Sequence, residues 1–306
     1  MTVTSTKPQL GLASRFVNGV LAIKPLADFA KKRARKMMID RAEAIGVPWR
    51  ANVKQLSDRI WNKELEAVRN AELEYPKYYK TSFHAYERGN LDWLPAWEVE
   101  SAAYAVHAKI WSEGSTDGDP QLRASYHRVI QDKIAISPQK IADLGCGVGM
   151  SSFAIQDIYP QSEVTGVDLS PYFLAVAKYR QEKERRKVNW IHAAAESTGL
   201  ADKSYDLVSA CLMFHELPQT AAKAIVTEAS RILVPGGYLT IMDMNPQSAV
   251  FVKMPPYILT LLKSTEPYLD QYFALNFPQL LADAGFDEIS ITVNSPRHRT
   301  IVAKMP

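Results

Sequence analysis

The sequence predicts an α/β fold: a seven-stranded, mainly parallel sheet with helices on both faces, preceded by a helical extension. Three observations carry this. After residue 121, short apolar runs alternate with stretches of helical periodicity, the pattern of strands joined by crossover helices. The first of those runs ends in "DLGCGVGM", where Gly145, Gly147 and Gly149 make a tight strand-to-helix turn. Upstream, "WSEGSTDGDPQ", residues 111–121, clusters Gly, Ser, Asp and Pro and divides the chain into parts spanning 1–120 and 121–306.

The first part reads as helical, "KQLSDRIWNKELEAVRNAELE" being its clearest periodic stretch. It holds Trp49, Trp61, Trp93, Trp97 and Trp111, enough aromatic bulk to pack on a sheet or close over a site. The second part opens with a helix around Leu122–Ile136. Strands are expected at Lys140–Leu144, Glu163–Val167, Val188–His192, Tyr205–Leu212, Gly237–Met242, Glu288–Val293 and Thr300–Lys304. The helices "SSFAIQDIY", "PYFLAVAKYRQEKERR", "TAAKAIVTEASRIL" and "FPQLLADAG" fill most gaps. Helices between the first five strands make those five parallel and bury both faces of the sheet.

The 306 residues, 47% hydrophobic and 23% charged, suffice for a sizeable core. A net charge of +3 is too mild to point to nucleic acid. Cys146 and Cys211 fall in strand ends read as buried, which favours reduced thiols and a cytoplasmic setting over a disulfide scaffold. No run reaches the roughly 18 apolar residues of a membrane span. The N-terminal segment is basic, with Lys31, Lys32, Arg33, Arg35 and Lys36 beside an apolar set of Leu26, Phe29, Ala30, Ala34, Met37, Met38 and Ile45. Three readings stand: a solvated basic helix, peripheral contact with an anionic membrane surface, or a transit peptide, for which the start is Ser/Thr-bearing and poor in acids but carries no evident cleavage signal.

Ligands of such a sheet settle beyond the carboxyl ends of its strands, where glycines let backbone approach closely. "VTGVDLS" adds Asp168 at the end of the second strand, about 20 residues on, as a partner for ribose hydroxyls. A dinucleotide-binding loop spaces its last glycine three residues after the second; here the order is G-C-G-V-G. Asp143, just ahead of the glycines, would repel a pyrophosphate and suits a cationic ligand.

These segments resemble the class I S-adenosylmethionine-dependent methyltransferases, type 11 in particular, whose core is Rossmann-like. "IADLGCGVG" is similar to their first motif, "VTGVDLS" to the second-strand acid, "YDLVSACLMFHEL" to the fourth strand, and "EASRILVPGGYLTIMDM" to the following helix, turn and strand. The resemblance implies S-adenosyl-L-methionine as cofactor, with Asp143 on its ammonium, Gly145, Cys146, Gly147 and Gly149 lining it, Asp168 on the ribose and Leu169 against adenine. The chain departs from the family in "HAAAE": Ala194 stands where many members carry an Asp for the adenine amino group, leaving Ala194 and Ala195 backbone, or Glu196, for that contact. Cys211, at the end of the fourth strand, is also counted with the cofactor region.

A sulfonium is a good leaving group, so methyl transfer chiefly needs alignment and exclusion of water. His215 and Glu216, after the fourth strand, are the candidate catalytic pair; His215 either takes a proton or only shapes the pocket. No H-E-x-x-H or paired C-x-x-C occurs, so no metal site is expected. Two regions are candidates for the acceptor pocket. "YPKYYKTSFHAYERGNLDWLPAWEVE" offers Tyr78, Tyr79, Phe83, Tyr86 and Trp93 around His84 and Glu98, as a lid or as packing; "NPQSAVFVKMPPYILTLLKSTEPYLDQYF" offers Tyr257 and an apolar wall, with Glu266, Tyr268 and Tyr272 to orient polar atoms. The acceptor is read as a small hydrophobic or aromatic molecule, quinone- or lipid-like. An RNA or protein methyltransferase, an NAD-dependent oxidoreductase and a non-catalytic cofactor-binding protein are the alternatives.

Overall fold

The computed structural model describes residues 24–84, 86–111 and 114–306, with side chains from Lys32 onward. Seven strands, β1 Lys140–Leu144, β2 Glu163–Asp168, β3 Val188–His192, β4 Tyr205–Cys211, β5 Leu233–Met244, β6 Asp287–Val293 and β7 His298–Lys304, form one sheet in the order β3-β2-β1-β4-β5-β7-β6. The first five pair in parallel; β7 runs antiparallel to β5 and β6. Strand order reverses between β1 and β4, the place at the carboxyl ends where ligands of such sheets bind.

Alternation along the strands feeds two cores. Ile141, Leu207 and Met242 pack with Leu122, Tyr126 and Ile130 of α5 Gly118–Lys133 and with Phe153 and Ile155 of α6 Met150–Ile158. Ala142, Leu144, Val208 and Ile241 pack on the other face with Ile225, Val226 and Ala229 of α8 Gln219–Ile232 and Leu281 of α12 Phe277–Asp283. The spacing of the α8 residues is the apolar stripe of an amphipathic helix. Helix α7 Pro171–Glu184 starts where Ser170 Oγ accepts from the Phe173 N–H and Pro171 occupies the first turn.

Two boundaries differ from the sequence expectation. β5 begins at Leu233, ahead of the "PGG" read as a turn: Leu233 pairs with Tyr205, the register shifts, and Gly236 at φ +80° carries the chain on while its N–H donates to Met305. Helix α5 begins inside the 111–121 break, because Pro120 is tolerated in a first turn and Asp119 is held there by His107 at 2.7 Å and Arg123 at 2.8 Å. Gly118 is needed because a Cβ there would sit 2.2 Å from the His107 carbonyl oxygen.

The N-terminal helices α1 Lys24–Ala44, α2 Trp49–Ser57, α3 Asn62–Val68 and α4 Trp93–His107 pack on this unit. Trp61 and Ala96 share a cluster with Phe173 and Val176 of α7. The membrane-contact reading of the basic helix is not supported: of its apolar set Met38 and Ile45 pack, with Ile39 and Ala42, on Val47, Trp49 and Ala105, while Ala34 and Met37 are exposed. The side chains of Leu26, Phe29 and Ala30 lie outside the described residues. Among the described residues no helix is long and apolar enough to cross a membrane.

Glu98 on α4 is fully buried and ties three segments together: it accepts from Arg35 of α1 at 3.0 Å, from Trp49 Nε1 at 3.2 Å and from Tyr86 Oη at 2.6 Å. Glu98→Ala leaves an indole N–H and a phenol without partners and is expected to cost about 2–3 kcal/mol, read from urea unfolding monitored by far-UV circular dichroism.

Candidate active site

Asp168, at the end of β2, reaches across to the glycine turn. Its Oδ2 accepts from the Gly147 N–H at 2.8 Å and its Oδ1 from the Ser170 N–H at 2.7 Å. Gly145, Gly147 and Gly149 lie at φ +69°, +54° and +85°, where a side chain is strained. Gly149 also has no room: a Cβ would stand 2.7 Å from the Trp190 ring. Asp143, at no exposure, accepts from the Ser151 and Ser152 hydroxyls at 2.6 Å through Oδ2, while Oδ1 is buried without a partner. Burial raises the Asp143 carboxyl, and raises Asp168 to about 6 although both its N–H donors pull downward.

A strap from Tyr75 to His84, containing a single 3-10 turn at Lys77–Lys80, crosses the carboxyl ends of β2 and β3. Tyr75 packs on His192 at the end of β3, with its hydroxyl 3.3 Å from Nε2. Asn70 N–H donates to His192 Nδ1 at 2.9 Å, which leaves the proton on Nε2 to meet the Leu169 carbonyl at 3.0 Å. Tyr78 donates to Glu196 at 2.6 Å, so the acid that follows the alanine run is held by the strap, with its other oxygen buried and unpartnered. A cavity of about 30 Å³ lies beneath, lined by Tyr78, Tyr79, Thr81, Phe83, Asn90, Glu216, Leu217 and Tyr268. That is about a tenth of a small-ligand pocket.

His215 and Glu216 sit in a 3-10 turn, Phe214–Glu216, after β4. His215 Nδ1 lies 2.8 Å from Asp243 Oδ1, and its backbone N–H donates to Oδ2 at 3.1 Å. Burial disfavours the charged ring, but Asp243, Glu266 and Glu216 outweigh it and push His215 up to about 10. Burial lifts Glu216 to about 7 against the pull of His84 and His215. Asn90 Nδ2 stands 3.5 Å from Glu216, and the Asn90 carbonyl accepts from the Ser170 hydroxyl at 2.7 Å, linking strap, β2 turn and β4 turn.

Of the sequence candidates, Asp143, Gly145, Cys146, Gly147, Gly149, Asp168 and Leu169 gather at the β1 and β2 ends, with Ala194 and Ala195 after β3. Tyr79, Phe83 and Glu216 line the cavity. Others fall elsewhere. Cys211 packs with α5, where Arg123 lies 3.5 Å from its sulfur. Tyr86 is committed to Glu98. Trp93 is packing, wedged against Trp61, Trp97 and Tyr172. Tyr272 is 1% exposed and spends its hydroxyl on the Met244 carbonyl, while Tyr257 stands 44% exposed on α10 Pro256–Thr265. His192, Asp243, Asn90 and Tyr75 were not among the sequence candidates. His192 and Asp243 share one signal with Asp168, a polar residue at the carboxyl end of a parallel strand.

The family described as "Methyltransferase domain" matches residues 141–237. A ubiquinone biosynthesis O-methyltransferase of Dechloromonas aromatica is 30% identical over 186 residues, 57% of this chain and 77% of that protein. The chain belongs to the class I S-adenosylmethionine-dependent methyltransferases. An uncharacterized methyltransferase of Synechocystis is 28% identical over 162 residues, 53% of this chain and 73% of the relative. A phosphoethanolamine N-methyltransferase of Haemonchus contortus, solved with S-adenosylhomocysteine, shares the fold at a TM-score of 0.52 and 17% identity; the match covers 71% of this chain and 60% of that one. The NAD-dependent oxidoreductase is thereby set aside, and the methyltransferase uses S-adenosylmethionine. The residues present fit that group: the unpartnered Asp143 oxygen suits its ammonium, and Asp168 has lone pairs left for ribose hydroxyls.

Asp168→Ala in this methyltransferase is expected to weaken S-adenosylhomocysteine by about 1–3 kcal/mol in titration calorimetry. The free protein holds the Asp168 proton up to about pH 6, whereas bound hydroxyls favour the carboxylate, so binding releases a proton. Cofactor affinity therefore rises with pH between about 5 and 7, and Asp168→Asn flattens that rise.

Proposed function

We propose that this methyltransferase acts on a small hydrophobic or aromatic acceptor of quinone-like chemistry, beneath the tyrosine strap. The observation that carries the reading is the lining of the cavity: Tyr78, Tyr79, Phe83, Leu217 and Tyr268 make an apolar, ring-rich wall, and Asn90 and Glu216 give it one polar corner. Such a wall recognises a flat apolar body, and the corner fixes a single oxygen-bearing edge. The Dechloromonas relative, a ubiquinone biosynthesis O-methyltransferase, supports the same acceptor class.

S-adenosylmethionine supplies an electrophilic methyl. The chain supplies position and dryness. Asp143 would take the ammonium through Oδ1 and Asp168 the ribose hydroxyls, with Leu169 beside adenine. The free Glu196 oxygen is the polar group left for the adenine edge where the family's usual Asp is Ala194. Tyr75, Tyr78 and Tyr79 close over the cofactor and exclude water, and Glu216 accepts the hydrogen bond that orients the acceptor hydroxyl.

Incubation of the enzyme and methyl-labelled cofactor with a panel of hydroxylated quinols, phenols and polar amines, read by mass spectrometry, is expected to label the first two groups. Labelling of the amines alone would overturn the reading. Glu216→Gln should lower kcat for the labelled acceptor by about tenfold to a hundredfold and leave S-adenosylhomocysteine affinity near that of the wild type.

A further inference from the structure

We propose that His84, His215 and Glu266 form a binding site for one divalent transition-metal ion. The three come from separate segments: the strap, the turn after β4, and the end of the stretch carrying α10. One ligand atom from each lies within 4.8 Å of the others. Two imidazoles and a carboxylate are the donor set of zinc, cobalt, iron and manganese centres that keep open positions. Positions 84, 215 and 266 are far apart in the chain, so no short motif announces the set.

Two further observations point to an ion. His215 Nδ1 is committed to Asp243, whose carboxylate is itself fixed by the His215 and Met244 N–H groups, leaving Nε2 as the free ring nitrogen. A carboxylate behind a histidine in this way is the arrangement that orients imidazole ligands at metal centres. Glu266 is 5% exposed, and its Oε2 is buried with no partner. Among the described residues none of Asp243, Glu216 and Glu266 accepts a hydrogen bond from a lysine or arginine. A buried carboxylate needs hydrogen-bond donors or a cation; Asp243 and Glu266 have the His215 and His84 imidazoles beside them, and a bound ion would take the place of the protons those rings carry.

His84 is pinned for this role. It sits at φ +47°, its N–H donates to the Thr265 carbonyl at 3.1 Å, and its Nε2 is 2.5 Å from Glu266 Oε1. Metal bonds of ~2.0–2.2 Å would open that pair by about 1 Å. The His84 side chain is 39% exposed, which gives an ion a path from solvent. Glu216, next to His215, lines the cavity, so the ion's open positions neighbour the acceptor chamber.

The test uses the full chain, stripped with a chelator and dialysed, titrated with Co²⁺ and followed by visible absorption, with Zn²⁺ competition and metal analysis as second readouts. Expected are one equivalent of Co²⁺ with intense four- or five-coordinate bands, displacement by Zn²⁺, loss of those bands in His84→Ala and Glu266→Gln, and about 10- to 100-fold weaker binding in Asp243→Asn. Wild-type far-UV circular dichroism and urea midpoint in His84→Ala and Glu266→Gln show that they are folded, and the metal readout keeps this result separate from the acceptor assignment. A wild-type spectrum like that of aqueous Co²⁺, or bands unchanged in both variants, overturns the proposal and leaves His84 and Glu266 as an ion pair only.

Discussion

Buried negative charge at the carboxyl edge of the sheet is the constraint around which this methyltransferase is arranged. Asp143, Asp168, Glu266 and Asp243 are all buried there, and Glu216 adjoins them. Each must find donors or a cation to remain folded. Asp168 finds two backbone N–H groups, Asp143 two serine hydroxyls, Asp243 the imidazole and N–H of His215. Among the described residues three carboxylate oxygens of this edge, on Asp143, Glu196 and Glu266, are left buried without partners.

The strap follows from the same constraint. It is not held by apolar contacts alone: Tyr78 anchors on Glu196, Tyr75 on His192 and His84 on Glu266. The first two anchors lie at and just after the end of β3, and the third caps α10. These contacts satisfy part of the edge, and just beyond the strap Tyr86 ties the chain into the helical extension through Glu98.

That Asp143, the glycines and Asp168 would gather at one place was legible in the sequence because the arrangement is local. Asp143, the three glycines and Asp168 lie on two consecutive strand ends, and the turn geometry that brings them together is written in the residues between them. The acceptor half was legible only as a region. Tyr79 and Phe83 line the cavity, whereas Tyr86 and Trp93, from the same aromatic stretch, do not. Composition shows that a stretch is aromatic, and which rings point inward depends on the strained turn at His84 and on the pull of Glu98. Tyr272 looked like a polar orienting group and is instead core, its hydroxyl consumed by a backbone carbonyl.

By itself the sequence determined the seven strands, their mainly parallel pairing and the gathering of the glycines and acids at two strand ends, since apolar alternation, glycines at positive φ and an acid at a strand end act over a few residues. Only the tertiary structure decided that His215 is backed by Asp243, that His84 and Glu266 converge on it, and that the strap closes on His192 and Glu196. Those groups are separated by dozens to more than a hundred residues. Their meeting is set by strand order and by the burial of charge, which no local pattern encodes.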